Sequence, residues 1–381
     1  MLRFLDAGES HGRALTAILE GFPSNFCFNI DYINHELERR QKCYGRGSRM
    51  KIERDKVEIW SGVRGSRTTG NPITMVIFNK DYENWKSILG EESKDENRVT
   101  VPRPGHGDLV GYFKYNTGDI RDTIERTSAR ETAIRTAVGA LCKNALEELN
   151  IAVRSKVDSI GDIYDEETDL FLDDNYKIIE ESDLRCYNNE VQEKMKKQID
   201  ICRETGETIG GSIFISIKNV PIGVGSFAEY DRKLDAILSF AVMSVQGIKA
   251  IEFGSGLNLK LRGSSFNDEI YYENDAIKRK SNNSGGIEAG VSNGENIVLK
   301  AFMKPIPTIK KNIASVDLKL KQNVTNRYER SDVCGVVPAS VVLENVCAFE
   351  IFKELLKKFP CDDFNELKKT VDTYRRELYK K

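Results

Sequence analysis

The chain contains three histidines in 381 residues, His11, His35 and His106. Two of them stand in glycine turns, GESHG at 8–12 and RPGHGD at 103–108. A histidine in such a turn can be a turn residue and nothing else. It is also the side chain whose charge changes nearest neutral pH, with a reference pKa of roughly 6.5, and so it serves readily as a general acid. Flanking glycine lets a ligand approach the backbone closely. His35 lies within a helical pattern and reads as a helix-surface or packing residue.

Arg39, Arg40, Arg46 and Arg49 fall within eleven residues, and Arg46 is framed by glycines in YGRGSR. The guanidinium fork suits phosphate and carboxylate, although a run of charge is also what a solvated surface face looks like. Arg126 and Arg130 flank Ser128, which opens a helical pattern. Unpaired N–H groups at a helix start hold anions well, although an ordinary cap needs no ligand. KPIPT at 304–308 is a rigid turn with one lysine. In RSDVCGVVPA at 330–339, Arg330 and Asp332 form either a structural ion pair or a proton acceptor beside an anion-binding arginine. Together these features suggest acid–base chemistry on an anionic substrate. HExxH, G-x-S-x-G and Walker A patterns are absent, and the histidines and cysteines lack zinc-ligand spacing.

The elements that must position these residues follow from periodicity. LRFLDA reads as a strand, and ALTAILEGF at 14–22 starts like a helix. Residues 31–41 read as a helix capped by Asp31 or a neighbour, and KCYGRGSRMK at 42–51 as a glycine-broken basic loop. VEIWSGV (57–63), ITMVIFN (73–79) and 207–223 read as strands, and 296–308 as a strand ending in a proline-fixed turn. Ser128 to Glu131 form an S-x-x-E capping box, followed by Ile134, Val138, Leu141, Ala145 and Leu149 at helical spacing. Residues 158–200 are acidic and loosely patterned, and are expected to be variable surface. Residues 231–246 and the last 45, from Pro338, look helical. No proline-rich linker divides the chain, so residues 1–381 are expected to form one domain.

Composition is that of a globular protein, 40% hydrophobic and 30% charged, with a formal net charge of −2. Nothing global points to nucleic acid or a membrane. The eight cysteines include no C-x-x-C pair and read as reduced thiols in a cytoplasmic protein.

In their order along the chain, GESHG, ERRQKCYGRGSRM (38–50), SGVRGSRTTGNPI (61–73), RPGHGD, ERTSARETAIRTAVGA (125–140), ETIGG (207–211), DRKLDA (231–236), EFG (252–254), NNSGG (282–286), MKPIPT (303–308) and ERSD (329–332) resemble the chorismate synthase family, over residues 1 to about 350. The resemblance implies an α+β fold, a βαβ sandwich with long helices packed between antiparallel sheets, and a homotetramer. It implies anti-1,4-elimination of phosphate from 5-enolpyruvylshikimate 3-phosphate to give chorismate, dependent on reduced FMN. In family terms His11 protonates the departing phosphate and His106 protonates or polarises the flavin. Asp332, Ser10 and Ser128 support removal of the C6 proton. Arg40, Arg46, Arg49, Arg103 and Arg130 meet the substrate anions. Arg126, Thr127, Ser128, Gln246, Gly247, Ala289, Lys304, Pro305, Ile306, Pro307, Thr308 and Arg330 hold the flavin.

Five positions depart from the family pattern. Thr127-Ser128 stands for Ser-Ser, Gly107 for alanine, Gln246-Gly247 for Asn-Ala and Ala289 for glycine. The hydroxyl at 127 is kept, and Gly107 is expected to loosen its turn. An accompanying NADPH:flavin reductase activity, found in some members, stays open. Two rival readings are a flavin oxidoreductase with net hydride transfer, which lacks a G-x-G-x-x-G fingerprint here, and an RNA- or anion-binding protein using residues 39–51, which lacks an aromatic stacking pattern.

Overall fold

A computed structural model describes every residue except 43, 45–53, 90–96, 274, 275, 330 and 379–381, and the side chain of residue 276. Arg46, Arg49, Arg330 and most of the basic loop therefore lie outside the described residues.

A four-stranded antiparallel sheet has the order Arg3–Ala7, Ala14–Glu20, Ile73–Phe78, Glu58–Ile59. The segment from Ala14 is a strand and not the helix its apolar run suggested. Leu15, Ala17 and Leu19 are buried while Ile18 is 49% exposed, a period of two that a helix cannot produce. A five-stranded antiparallel sheet has the order Ile248–Phe253, Ile297–Met303, Gly211–Lys218, Ala152–Ile160, Ile163–Tyr164.

Helices fill the space between the sheets. Thr132–Glu148 packs on the first sheet, Val336–Lys358 on the second, and the two pack on each other, with Ile30–Gln41 and Leu234–Met243 alongside. Phe349 also meets Phe4 of the first sheet edge-on, with ring centroids 4.9 Å apart. Of the 23 residues in Val336–Lys358, 18 are buried, so this helix is covered on nearly all sides rather than along one stripe. Where it meets Thr132–Glu148 the backbones touch. A Cβ on Gly139 would lie 2.2 Å from the Asn345 carbonyl oxygen.

Charge is buried at the same junction. Arg39 donates to Glu36 at 2.7 Å and to Glu344 at 2.8 Å, and Lys143 and Arg185 reach Glu344 at 2.7 and 2.8 Å. Burial pushes the Glu344 carboxyl up, but Arg39, Lys143 and Arg185 outweigh it and hold it well below the usual carboxylate range. Arg39 and Arg40 are 5% and 6% exposed, so the solvated-face reading fails for both.

Other boundaries differ from expectation. Residues 158–200 complete two strands of the second sheet and then enter two helices, Asp173–Glu181 and Asn189–Thr205. Met195 and Ile199 are fully buried one turn apart, a narrow apolar stripe among many charges. Asn29, not Asp31, caps Ile30–Gln41 by accepting from the Asp31 N–H. Ser128 closes a helix, Arg121–Thr127, and caps a single 3-10 turn before Thr132–Glu148 begins. Its hydroxyl accepts from Arg130 N–H at 3.3 Å. The Glu131 carboxylate instead accepts from Gln246 at 2.8 Å. No helix among the described residues is long and apolar enough to cross a membrane.

Candidate active site

GESHG joins the edge strand Arg3–Ala7 of the first sheet to its inner neighbour Ala14–Glu20. Gly8 has φ 116°, and a Cβ there would lie 2.4 Å from the Ala14 carbonyl, so the turn requires glycine. Two remote elements pin it. Asn79, at the end of Ile73–Phe78, donates to the carbonyls of Glu9 at 3.2 Å and Gly12 at 2.8 Å. Glu125, from helix Arg121–Thr127, accepts the backbone N–H of His11 at 2.8 Å and faces its Nδ1 at 2.9 and 3.0 Å. Ser10, 3% exposed, donates its backbone N–H to the Glu125 carbonyl at 3.0 Å. The His11 ring stacks on Trp85 with centroids 3.8 Å apart, and Arg121 lies 5.3 Å from the Trp85 ring centre.

RPGHGD is self-contained. Asp108 begins the helix Asp108–Tyr115. It accepts Arg103 Nε and the Arg103 backbone N–H, each at 2.9 Å, and lies against His106 Nδ1. Burial would raise the Asp108 carboxyl, but the hydrogen bonds from His106 and Arg103 and the Arg103 charge hold it far below the ordinary value. Arg103 also donates to Thr308 at 3.0 Å and pairs with Glu329 at 3.1 Å.

A carboxylate only accepts, so Nδ1 of His11 carries the hydrogen and Nε2 is left as the second proton site of that ring; His106 Nδ1 lies between the Asp108 carboxylate and the donor-only Arg103 Nη2, 3.1 Å away. Both side chains are mostly covered, His11 15% and His106 16% exposed. Gly107 leaves no room for a side chain. A Cβ there would lie 2.8 Å from the Thr127 methyl.

Arg40 and Arg130 converge on Asp55, at 3.5 and 2.7 Å. Arg40 also donates to Thr132 at 3.0 Å and to the Ala129 carbonyl at 3.1 Å. Arg130 Nε donates to Asn79 at 2.9 Å, which ties this pair to the GESHG turn. Arg126 reaches Asp6 at 2.9 Å and the Gly8 carbonyl at 3.3 Å. The Thr127 hydroxyl donates to the Thr123 carbonyl at 2.7 Å.

Lys304 Nζ donates to the Gly105 carbonyl at 2.5 Å, and its backbone N–H to the Gly247 carbonyl at 2.9 Å. Burial and then Lys249 lower the Lys304 ammonium pKa. The segment Pro305, Ile306, Pro307, Thr308 runs from there to Arg103, with the Ile306 carbonyl accepting from Thr208 at 2.6 Å. Ser331 Oγ donates to the Thr308 carbonyl at 3.0 Å, which brings the chain at Asp332 to the same turn. Ala289, at φ 50°, turns the hairpin Ile287–Glu288/Val291–Ser292, which meets the start of Leu234–Met243.

Several donors here are buried with no partner among the described residues: Arg121 Nε, Arg327 Nε and Nη2, and Arg130 Nη2, together with the acceptor Gln246 Oε1. Sequence reading missed Trp85, Asp55, Arg121, Arg327 and the carboxylates Glu125, Asp108 and Glu329. The three carboxylates sit inside the quoted motifs, beside the arginines and histidines that drew attention.

A family model described as chorismate synthase matches residues 2–356. A chorismate synthase from Clostridium tetani (strain Massachusetts / E88) is 64% identical over 379 residues, covering 100% of this chain and 98% of that one. One from Alkaliphilus oremlandii (strain OhILAs) is 49% identical, covering 99% of each. A solved structure titled "Crystal Structure of Chorismate Synthase" superposes with a TM-score of 0.79 at 37% identity, covering 100% of this chain and 99% of that chain.

Proposed function

The chain belongs to the chorismate synthase family, and on that premise we propose how its own residues serve the family reaction. That reaction is the anti-1,4-elimination of phosphate from 5-enolpyruvylshikimate 3-phosphate, the last common step of the shikimate pathway. The C3–O bond to phosphate breaks, the C6 proton leaves and a second ring double bond forms, so no net oxidation occurs.

The substrate bears a phosphate and two carboxylates. The unpartnered N–H groups of Arg121, Arg327 and Arg130 supply donors for such oxygens, and this observation carries the reading. Arg40, held by Asp55, is proposed to join Arg130 in binding one anionic group. Arg103 has its guanidinium spent on Asp108, Thr308 and Glu329, so its service to the substrate runs through His106. Arg46 and Arg49 are proposed substrate ligands outside the described residues.

His11 gives its Nε2 proton to the leaving phosphate, and Glu125 balances the charge of the protonated ring. His106 holds a proton toward the cofactor in the same way, with Asp108 behind it. Asp332, with Ser10 and Ser128, is the proposed route for the C6 proton.

Reduced FMN fits the residues present. Gln246 Oε1 is a buried acceptor that a flavin N–H would satisfy, and Lys304 beside Lys249 and the exposed Arg126 suit its phosphate. Thr127, Ser128, Gly247, Ala289, Pro305, Ile306, Pro307, Thr308 and Arg330 are proposed to line it. When bound, the reduced flavin supplies electron density to the substrate and takes it back. Exposed Leu5, Ile18, Trp60 and Phe78 on the first sheet support burial of that face in a homotetramer. One core drawing on residues from Leu2 to Val371 supports a single domain.

The test is anaerobic. The protein is mixed with chemically reduced FMN and 5-enolpyruvylshikimate 3-phosphate, and phosphate release and chorismate absorbance are followed. Wild type forms product, and His11→Ala and His106→Ala each fall by about 10² or more. Flavin binding without chorismate overturns the reading in favour of an oxidoreductase.

A further inference from the structure

The two histidine–carboxylate pairs are not separate. Glu329 Oε2 meets Arg103 at 3.1 Å, and Arg103 binds Asp108 and lies 3.1 Å from the His106 ring. Glu329 Oε1 meets Arg121 at 3.1 Å, and Arg121 faces the Glu125 carboxylate at 3.8 Å and the Trp85 ring beneath His11. Arg327 closes the third side, 2.5 Å from Glu329 Oε1. One continuous line of alternating charge thus runs His11, Glu125, Arg121, Glu329, Arg103, Asp108, His106.

We propose that Glu329 is a positioning residue that braces Arg121 and Arg103 at once and thereby couples the protonation of His11 to that of His106. The groups facing each ring define the balance. His11 faces Glu125 and the Trp85 ring, with Glu9 in its own turn. His106 faces Arg103 and Asp108, with Lys304 bonded to the neighbouring Gly105 carbonyl. Glu329 faces Arg103, Arg121 and Arg327. Three guanidiniums (Arg103, Arg121, Arg327) are met by three carboxylates (Asp108, Glu125, Glu329), so the protons on the two rings set the sign of the assembly. Loss of the Glu329 charge makes each ring harder to protonate. It also frees Arg103 and Arg121 to turn toward Asp108 and Glu125 alone. The inference deepens the reading of His11 and His106 as the acids of the reaction, yet coupling is a property of the protein without substrate and is tested without it.

The full chain is labelled with carbon-13 in its histidines and titrated by NMR. Only three ring signals exist, and exposed His35, on the helix Ile30–Gln41, serves as the internal reference. Glu329→Gln lowers the proton affinity of both His11 and His106 on the order of threefold and leaves His35 unmoved. Glu329→Asp, which keeps the charge, recovers most of the shift. A second arm leaves Glu329 intact. Replacing one histidine by Gln raises the proton affinity of the other where that ring titrates second in the wild type, because only then does it meet its neighbour's positive charge. A His11 curve indifferent to both Glu329→Gln and His106→Gln overturns the proposal, as does movement of His106 alone. If coupling is present while the anaerobic assay yields no chorismate, the reaction assignment falls and the coupling stands.

Discussion

Gly107 lies directly under the methyl group of Thr127, so close that any Cβ at 107 would sit 2.8 Å from it. These are two of the positions at which the chain departs from its family pattern, alanine for one and serine for the other. The departures fit one another: serine at 127 would vacate the space an alanine at 107 needs. Gly107→Ala alone is expected to cost about 1–3 kcal/mol by overpacking, while Gly107→Ala with Thr127→Ser returns near wild type. A double-mutant cycle in urea denaturation checks this, and additive losses would show that the contact is not limiting.

Glu125 takes both the backbone N–H and the ring Nδ1 of His11. Glu125→Gln keeps an oxygen for one donor and removes the charge. Turnover should fall about 10²-fold with little change in KM, measured in the anaerobic assay. A KM effect without a kcat effect would place Glu125 in substrate binding instead.

Glu344 is fully buried and accepts from Arg39, Lys143 and Arg185. Glu344→Gln leaves three buried cations short of a counter-charge, and is expected to cost about 3–5 kcal/mol. Urea unfolding of the variant measures it, and a loss below about 1 kcal/mol would mean that water relieves the cluster.

Acid should destabilise the protein early. Asp108, Glu329, Glu36 and Glu344 are held below their ordinary range, and Glu180 falls to about 2. A carboxyl depressed in the folded state gives stability that is complete above its unfolded pKa, roughly 4, and lost as pH falls toward the folded value. Glu131, Glu147 and Glu350 are raised by burial and act oppositely just above that pH. Below it they are protonated in both states, so only the depressed groups remain. The unfolding midpoint in urea, followed from pH 6 to 3, should therefore drop steeply below about 4.

Much of this was legible in sequence, and the failures share a cause. Strands with clear alternation, the helix after Ser128 and the helical C-terminal region lie where the periodicity put them. ALTAILE misled because a short apolar run carries both periods, and only pairing with Arg3–Ala7 and Ile73–Phe78 decides between them. The histidines and arginines stood out because they are rare or clustered. Their carboxylate partners did not, since a glutamate among 59 acidic residues looks like surface. Asp108 is two residues from His106 and was within reach of local reasoning. Glu125 is 114 residues from His11, and no spacing rule reaches that far.

The buried ion cluster also constrains the order in which the molecule can be made. Arg39, Lys143 and Arg185 lie 305, 201 and 159 residues ahead of Glu344. A chain emerging from the ribosome exposes all three cations long before their shared acceptor exists, and of the helices between the sheets the one that carries it is made after the others, with only Phe364–Glu377 behind it. The core cannot close over Arg39 and Lys143 until that helix has left the exit tunnel, so the final packing step belongs to the nearly finished chain. Truncation within Val336–Lys358 should then leave no folded remainder, because Glu36 and Glu180 alone would face the three buried cations.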